Sequence, residues 1–173
     1  GLRYLYANLA PLQSSAEIFE FTIAMRPLDI VEQVLAQQAK IVGFGVYIWN
    51  VVETTAVVTL LKTLQPDLMI VLGGPEVSYE AENQAITQQA DYVISGAAEQ
   101  SFQHLCTGLL AGETPQEKFI PSPLVPLSNL NLPYTAYTDT DLKQRFIYVE
   151  ASRGCPFKCE FCLSALDTTA YPF

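Results

Sequence analysis

The feature that most constrains this chain is a regular alternation of two kinds of apolar segment. Ile41-Val42-Gly43-Phe44-Gly45-Val46-Tyr47-Ile48 and Leu68-Met69-Ile70-Val71-Leu72 are nearly continuous in apolar residues. A strand with one wet face alternates apolar and polar; a strand covered on both faces does not, so these runs read as central strands of a parallel sheet. Glu17–Ile23 and Asp91–Ile94 are further short β-rich runs. Between them the spacing turns helical. Ile30, Val31, Val34 and Leu35 share one face, as do Val57, Val58, Leu60, Leu61 and Leu64, and then Phe102, Leu105, Cys106, Leu109 and Leu110. Strands alternating with helices predict an α/β fold: a doubly wound, Rossmann- or flavodoxin-like parallel sheet of about 4–5 strands. Leu2, Leu5, Tyr6 and Leu9 form a helical stripe at the very start. Such a sheet usually opens on a strand, so the expectation is that its first strand precedes Gly1.

Punctuation supports the pattern. Pro27 opens a helix with Asp29 as its expected cap, Gln65-Pro66-Asp67 closes the next one, Gly73-Gly74-Pro75 follows a strand, and Gly112 ends the last helix. Pro115, Pro121, Pro123, Pro126 and Pro133 then crowd one stretch. Proline at that density propagates neither helix nor central strand. The expected organisation is an α/β domain over 1–112, a proline-rich linker over 113–144, and the start of a further domain over 145–173. That last part is expected to open on a strand, Phe146-Ile147-Tyr148-Val149-Glu150, and the chain is too short to complete a domain built on it.

Half of the 173 residues are apolar, enough for a true core, which excludes disorder. Eighteen acidic against nine basic residues give a net charge of −9. An acidic surface repels phosphate backbones, so nucleic acid is not an expected partner. No apolar run is long enough to span a bilayer, and the start lacks a secretory layout. Three of the four cysteines fall within eight positions, Cys155-Pro156-Phe157-Lys158-Cys159-Glu160-Phe161-Cys162. That crowding reads as metal ligation in a reducing, cytoplasmic compartment rather than as a disulfide frame. Thiolates at a C-x-x-x-C-x-x-C spacing can converge on one soft metal centre, and three of them leave one iron of a four-iron cubane open. A structural zinc wants a fourth ligand, for which only His104 and Cys106 are spare, and unligated thiols are the other alternative.

Tyr148-Val149-Glu150-Ala151-Ser152-Arg153-Gly154-Cys155, running into the cysteine motif, resembles the opening of a radical S-adenosylmethionine (radical SAM) enzyme. The upstream part resembles the cobalamin-binding domain that precedes the barrel in one subclass of that family. The residues that carry this are Gly43 to Asn50, then Gly73-Gly74-Pro75-Glu76, then Gly96-Ala97-Ala98-Glu99. The resemblance implies that Cys155, Cys159 and Cys162 bind a [4Fe-4S] cluster whose open iron takes S-adenosyl-L-methionine (SAM), reductively cleaved to a 5′-deoxyadenosyl radical. It places Phe157 near the adenine. It implies that cobalamin sits against Gly45, Tyr47, Trp49, Asn50, Gly73, Gly74, Pro75, Gly96 and Glu99. The parent would be a methyl- or radical-transfer enzyme; this piece alone, without the barrel, is not expected to be catalytic.

In open parallel sheets ligands lie beyond the carboxyl ends of the strands, at a switch point, and all three glycine loops would line that edge. Missing side chains at Gly73 and Gly74 would let a flat ligand approach the backbone, whereas for either loop alone a tight turn suffices. Tyr47 and Trp49 read as core packing or as corrin contacts; Glu76 and Glu99 as acids at helix starts; Cys106 as core; Glu80, Glu82 and Asp91 as a solvated face. The chain departs from the family in two ways. It has no Asp-x-His-x-x-Gly motif, its only histidine being His104, expected to be solvated, and Ala97 and Ala98 stand where the family commonly has Glu and Gly. Two rivals follow: a radical SAM accessory domain that has lost cobalamin and binds substrate, and a flavodoxin-like module for a flavin or nucleotide. Substrate and oligomeric state are not readable.

Overall fold

The computed structural model describes residues 1–123, 125–162 and 170–172. They form two compact units, one reaching residue 124 and one starting at Val125. In the first unit, β1 (Ile41–Gly45), β2 (Met69–Gly73), β3 (Tyr92–Gly96) and β4 (Phe119–Ser122) make one sheet in the order β1-β2-β3-β4, every pairing parallel. The helices are α1 (Leu2–Ala7), α2 (Pro27–Ala36), α3 (Val51–Leu64), α4 (Ala85–Gln89) and α5 (Glu99–Leu110).

The apolar runs explain the layering. Side chains alternate along a strand. Ile70, Leu72 and Val93 therefore meet Val31, Val34, Val57, Val58, Leu61 and Ile86 of α2, α3 and α4 on one face. Val71, Tyr92 and Ile94 meet Phe102, Leu105 and Leu109 of α5 on the other. Helix α1 packs on α5; Tyr4 is its buried residue, and of the expected stripe Leu2, Leu5 and Tyr6 are half-buried while Leu9, just past the helix, is buried. This is the doubly wound α/β fold that the alternation predicts. The steps β1→β2 and β3→β4 run in the same direction but use α3 and α5 on opposite faces. The two crossovers are therefore of opposite hand, and one of them departs from the right-handed rule.

Several expectations are corrected. Glu17–Ile23 forms no strand; it runs as an irregular segment with Phe21 and Met25 packed on the α2–α4 core. Phe119–Ser122, expected within the linker, is strand β4. It lies at the sheet's edge, where the missing N–H of Pro121 costs no central ladder bond. The strands stand in sequence order, so the described sheet contains no switch point. Asp29 does not cap α2: the N-cap is Arg26, whose guanidinium Nε donates to the Asp29 carboxylate at 2.8 Å.

The second unit holds α6 (Asp139–Gln144), capped by a reciprocal Thr138–Asp141 box, and an antiparallel pair, β5 (Ser152–Gly154) with β6 (Ala170–Pro172). Phe146–Glu150 is not a strand; Phe146, Tyr148 and Val149 are exposed, and the β structure begins two residues later.

Candidate functional site

Because the sheet is parallel, every carboxyl end lies on one edge. Register pairs Gly45 with Gly73, Gly73 with Ile94, and Gly96 with Ser122. The three glycine loops thus share that edge, and the reasons for their glycines differ. Gly74 adopts φ +110°, and a Cβ there would lie 2.5 Å from the Val46 carbonyl oxygen. The two loops are laced together, the Val46 N–H donating to Gly73 O at 2.7 Å and the Glu76 N–H to Val46 O at 3.3 Å. Gly74 is therefore glycine because another loop's backbone fills its side-chain space. Pro75 opens the short 3₁₀ turn that follows, with Glu76 in its first turn. Gly73 is different: its φ is not in the left-handed region, and a Cβ would make only an ordinary 3.6 Å contact. Gly96, at φ +88°, could carry a side chain only with backbone strain and a 3.1 Å approach to Ser122 O.

The β1–α3 loop is held by its own polar residue. Asn50 Oδ1 accepts from the Tyr47 N–H at 2.8 Å, and Asn50 Nδ2 donates to Gly45 O at 3.0 Å. This turn presents Tyr47 and Trp49 as a stacked pair, ring centroids 4.6 Å apart and planes 12° from parallel. Trp49 is 62% exposed, Ile48 77% and Val52 74%. Core packing is thus excluded for Trp49; the loop holds an apolar patch in solvent, a feature that marks contact surfaces. On the β3–α5 side, Ser122 Oγ donates to Ala97 O at 2.6 Å and stands 2.9 Å from Ser101 Oγ, fixing the Gly96–Ala98 turn. Glu99 is buried in the first turn of α5, where a carboxylate complements the helix dipole. His104 is exposed in mid-helix. Cys106 is buried, which pushes its thiol up to about 11. Asp91 is not on a solvated face: it accepts from Lys62 Nζ at 3.1 Å and from the Ile70 N–H at 2.7 Å.

A cleft of about 370 Å³ opens at the opposite edge, among Gln38, Lys40, Ile41, Gln65, Asp67 and Met69. It lies at the amino ends of β1 and β2, away from the glycine loops.

In the second unit Cys155 is half-exposed, and Cys159 and Cys162 are exposed, all three as free thiols. The Cys162 N–H donates to Cys159 O at 3.1 Å, which turns the loop between them. Phe157 is 68% exposed. Among the described residues no three His, Cys, Asp or Glu side chains gather as a metal site. No helix among them is long and apolar enough to cross a membrane.

The chain is 24% identical to 2-(S-pantetheinyl)-carbapenam-3-carboxylate methyltransferase of Streptantibioticus cattleyicolor, over 94% of this chain and 27% of that protein. It thus spans about a quarter of that relative's length. Among solved structures it resembles the N-terminal domain of a hypothetical protein from Thermotoga maritima, with a TM-score of 0.46 and 17% identity over 69% of this chain and 91% of the other. The B12 binding domain model matches residues 1–106, a span that holds β1–β3, α1–α4 and all three glycine loops. The chain belongs to the B12 binding domain family.

Proposed function

We propose that the first unit holds a cobalamin on the carboxyl edge of its sheet and presents it to a methyl- or radical-transfer centre built partly from the cysteine loop. The observation that carries the reading is the exposed Ile48–Trp49–Val52 patch beside glycine-ended strands aligned on one edge. These residues fit a broad, largely apolar disc. Tyr47 and Trp49 offer a stacked aromatic wall, and Gly45, Gly73 and Gly96 bring bare backbone to the edge. Asn50, Gly74 and Pro75 act by shaping the loops, since the Asn50 amide and the Gly74 side-chain space are already used within the protein. Glu99 fixes the start of α5.

The second unit supplies thiol chemistry. Three accessible free thiols within eight residues are the donor type that suits iron, so Cys155, Cys159 and Cys162 are the proposed ligands of a [4Fe-4S] cluster. Phe157 is proposed to contact the adenine of SAM. A cobalamin and a SAM-binding cluster together supply methyl or radical transfer to an unreactive atom. The chain's own share would be to hold the corrinoid against Trp49 and Tyr47 and to supply the three thiols. The methyltransferase name of the Streptantibioticus relative supports the same class of chemistry.

Trp49 is the only tryptophan, so its fluorescence reports on the site alone. Titration with hydroxocobalamin is expected to quench it well beyond the loss shown by free N-acetyltryptophanamide, and the pigment should stay with the protein through gel filtration. Quenching no greater than that of the free indole, with no retained colour, would exclude the reading. It would favour a domain that uses this edge for substrate, or, if the protein copurifies yellow, for a flavin.

A further inference from the structure

The segment that leads into the cysteine loop is held by side chains that the proposed ligand set does not use. The Tyr134 hydroxyl accepts from the Glu150 N–H at 3.2 Å and donates to Glu150 O at 3.4 Å, clasping both backbone groups of one residue. The Glu150 carboxylate in turn takes Arg153 in a two-pronged pair, Nε to Oε1 at 3.1 Å and Nη2 to Oε2 at 3.2 Å. The Arg153 side chain is largely buried. One residue later Gly154 adopts φ +80°, and Cys155 follows. Strands β5 and β6 pair Arg153 with Tyr171 and Gly154 with Ala170.

We infer that Tyr134, Glu150 and Arg153 are positioning residues that fix the base of this loop and so set where Cys155 starts. The inference rests on reading the loop as a metal-binding one. Two parallel charge-assisted hydrogen bonds fix orientation as well as distance. A thiol whose preceding backbone is already fixed has less freedom to lose when a metal gathers its ligands. Outer residues of this kind typically change metal affinity by about 10–100-fold.

The test uses the full chain, parent and variants. Iron and sulfide per chain are measured after anaerobic reconstitution, backbone hydrogen exchange over 150–155 is followed in the metal-free protein, and circular dichroism monitors folding. Glu150→Gln and Arg153→Met are expected to lower iron uptake at limiting iron by about tenfold and to speed exchange over 150–155, with the melting of the first unit unchanged. Tyr134→Phe should speed exchange at Glu150. The reversed pair, Glu150→Arg with Arg153→Glu, should restore slow exchange and iron uptake. Parental uptake and parental exchange in Glu150→Gln and Arg153→Met would overturn the inference. If the parent itself takes up no iron, the cluster reading fails, and the exchange rates alone decide whether these residues hold the loop's base.

Discussion

Gly73 and Gly74 are neighbours with different physical jobs, and substitution separates them. At Gly74 an added methyl meets the Val46 backbone at 2.5 Å and the residue is held at φ +110°. Gly74→Ala is therefore expected to destabilise the first unit by about 2–4 kcal/mol in urea unfolding, through strain and steric conflict together. Gly73→Ala meets only a 3.6 Å contact and should unfold within about 1 kcal/mol of the parent. If Gly73 gives the corrinoid access to the backbone, this variant weakens hydroxocobalamin retention while stability holds; unchanged retention would remove Gly73 from the site. Cys106 carries a second residue-scale expectation. Burial raises its thiol from 9.0 to about 11, so the folded chain keeps a proton that the unfolded chain releases. Its contribution is full below pH 9 and is lost as pH rises toward 11, by on the order of 2 kcal/mol. Urea unfolding from pH 8 to pH 11 should show that decline, and Cys106→Ala should flatten it.

At the scale of elements, the parts legible in the sequence are those whose burial is written in their own run of residues. Met69–Gly73 reads as a central strand and is one, covered on both faces; Ile41–Gly45 has the same kind of apolar run but stands at the edge of the described sheet and is only partly buried, so it is a strand but not a central one there. Glu17–Ile23 has an equally β-like composition but pairs with no strand among the described residues, and composition alone cannot supply a ladder. Strand β4 was hidden the other way round, since Pro121 disguises an edge strand whose pairing comes from β3. The site divides similarly. The glycine loops were legible by their order along the chain. The use of Asn50 to tie its own loop, and of Gly74 to admit Val46, depends on contacts between segments that spacing does not encode. Asp91 shows the same limit. It reads as a surface acid, yet it joins Lys62 of α3 to the amino end of β2. Removing it leaves the Ile70 N–H and a partly buried ammonium without this acceptor. Asp91→Ala is expected to cost about 1–3 kcal/mol in urea unfolding, against less than about 0.5 kcal/mol for Glu82→Ala.

For the whole molecule, the residues assigned to the corrinoid all fall before residue 124 and the three thiols all fall after it, in separate compact units. The proposed ligand sets draw on no residue of the other unit, so if they hold as proposed, loading one should not require loading the other. Ligand that binds only the folded state raises stability by mass action, about 2.7 kcal/mol at a hundred times its dissociation constant. Saturating hydroxocobalamin should accordingly raise the melting temperature of the first unit alone. Replacing Cys155, Cys159 and Cys162 together by alanine should abolish iron uptake and leave that cobalamin-dependent rise intact. Trp49→Ala should do the reverse: with its ring 62% exposed, its loss costs little stability, but the apolar wall for the corrinoid goes with it. A triple cysteine variant that loses cobalamin along with iron would mean that the corrinoid is held by residues of both units, and the assignment of its site to the sheet edge alone would be wrong.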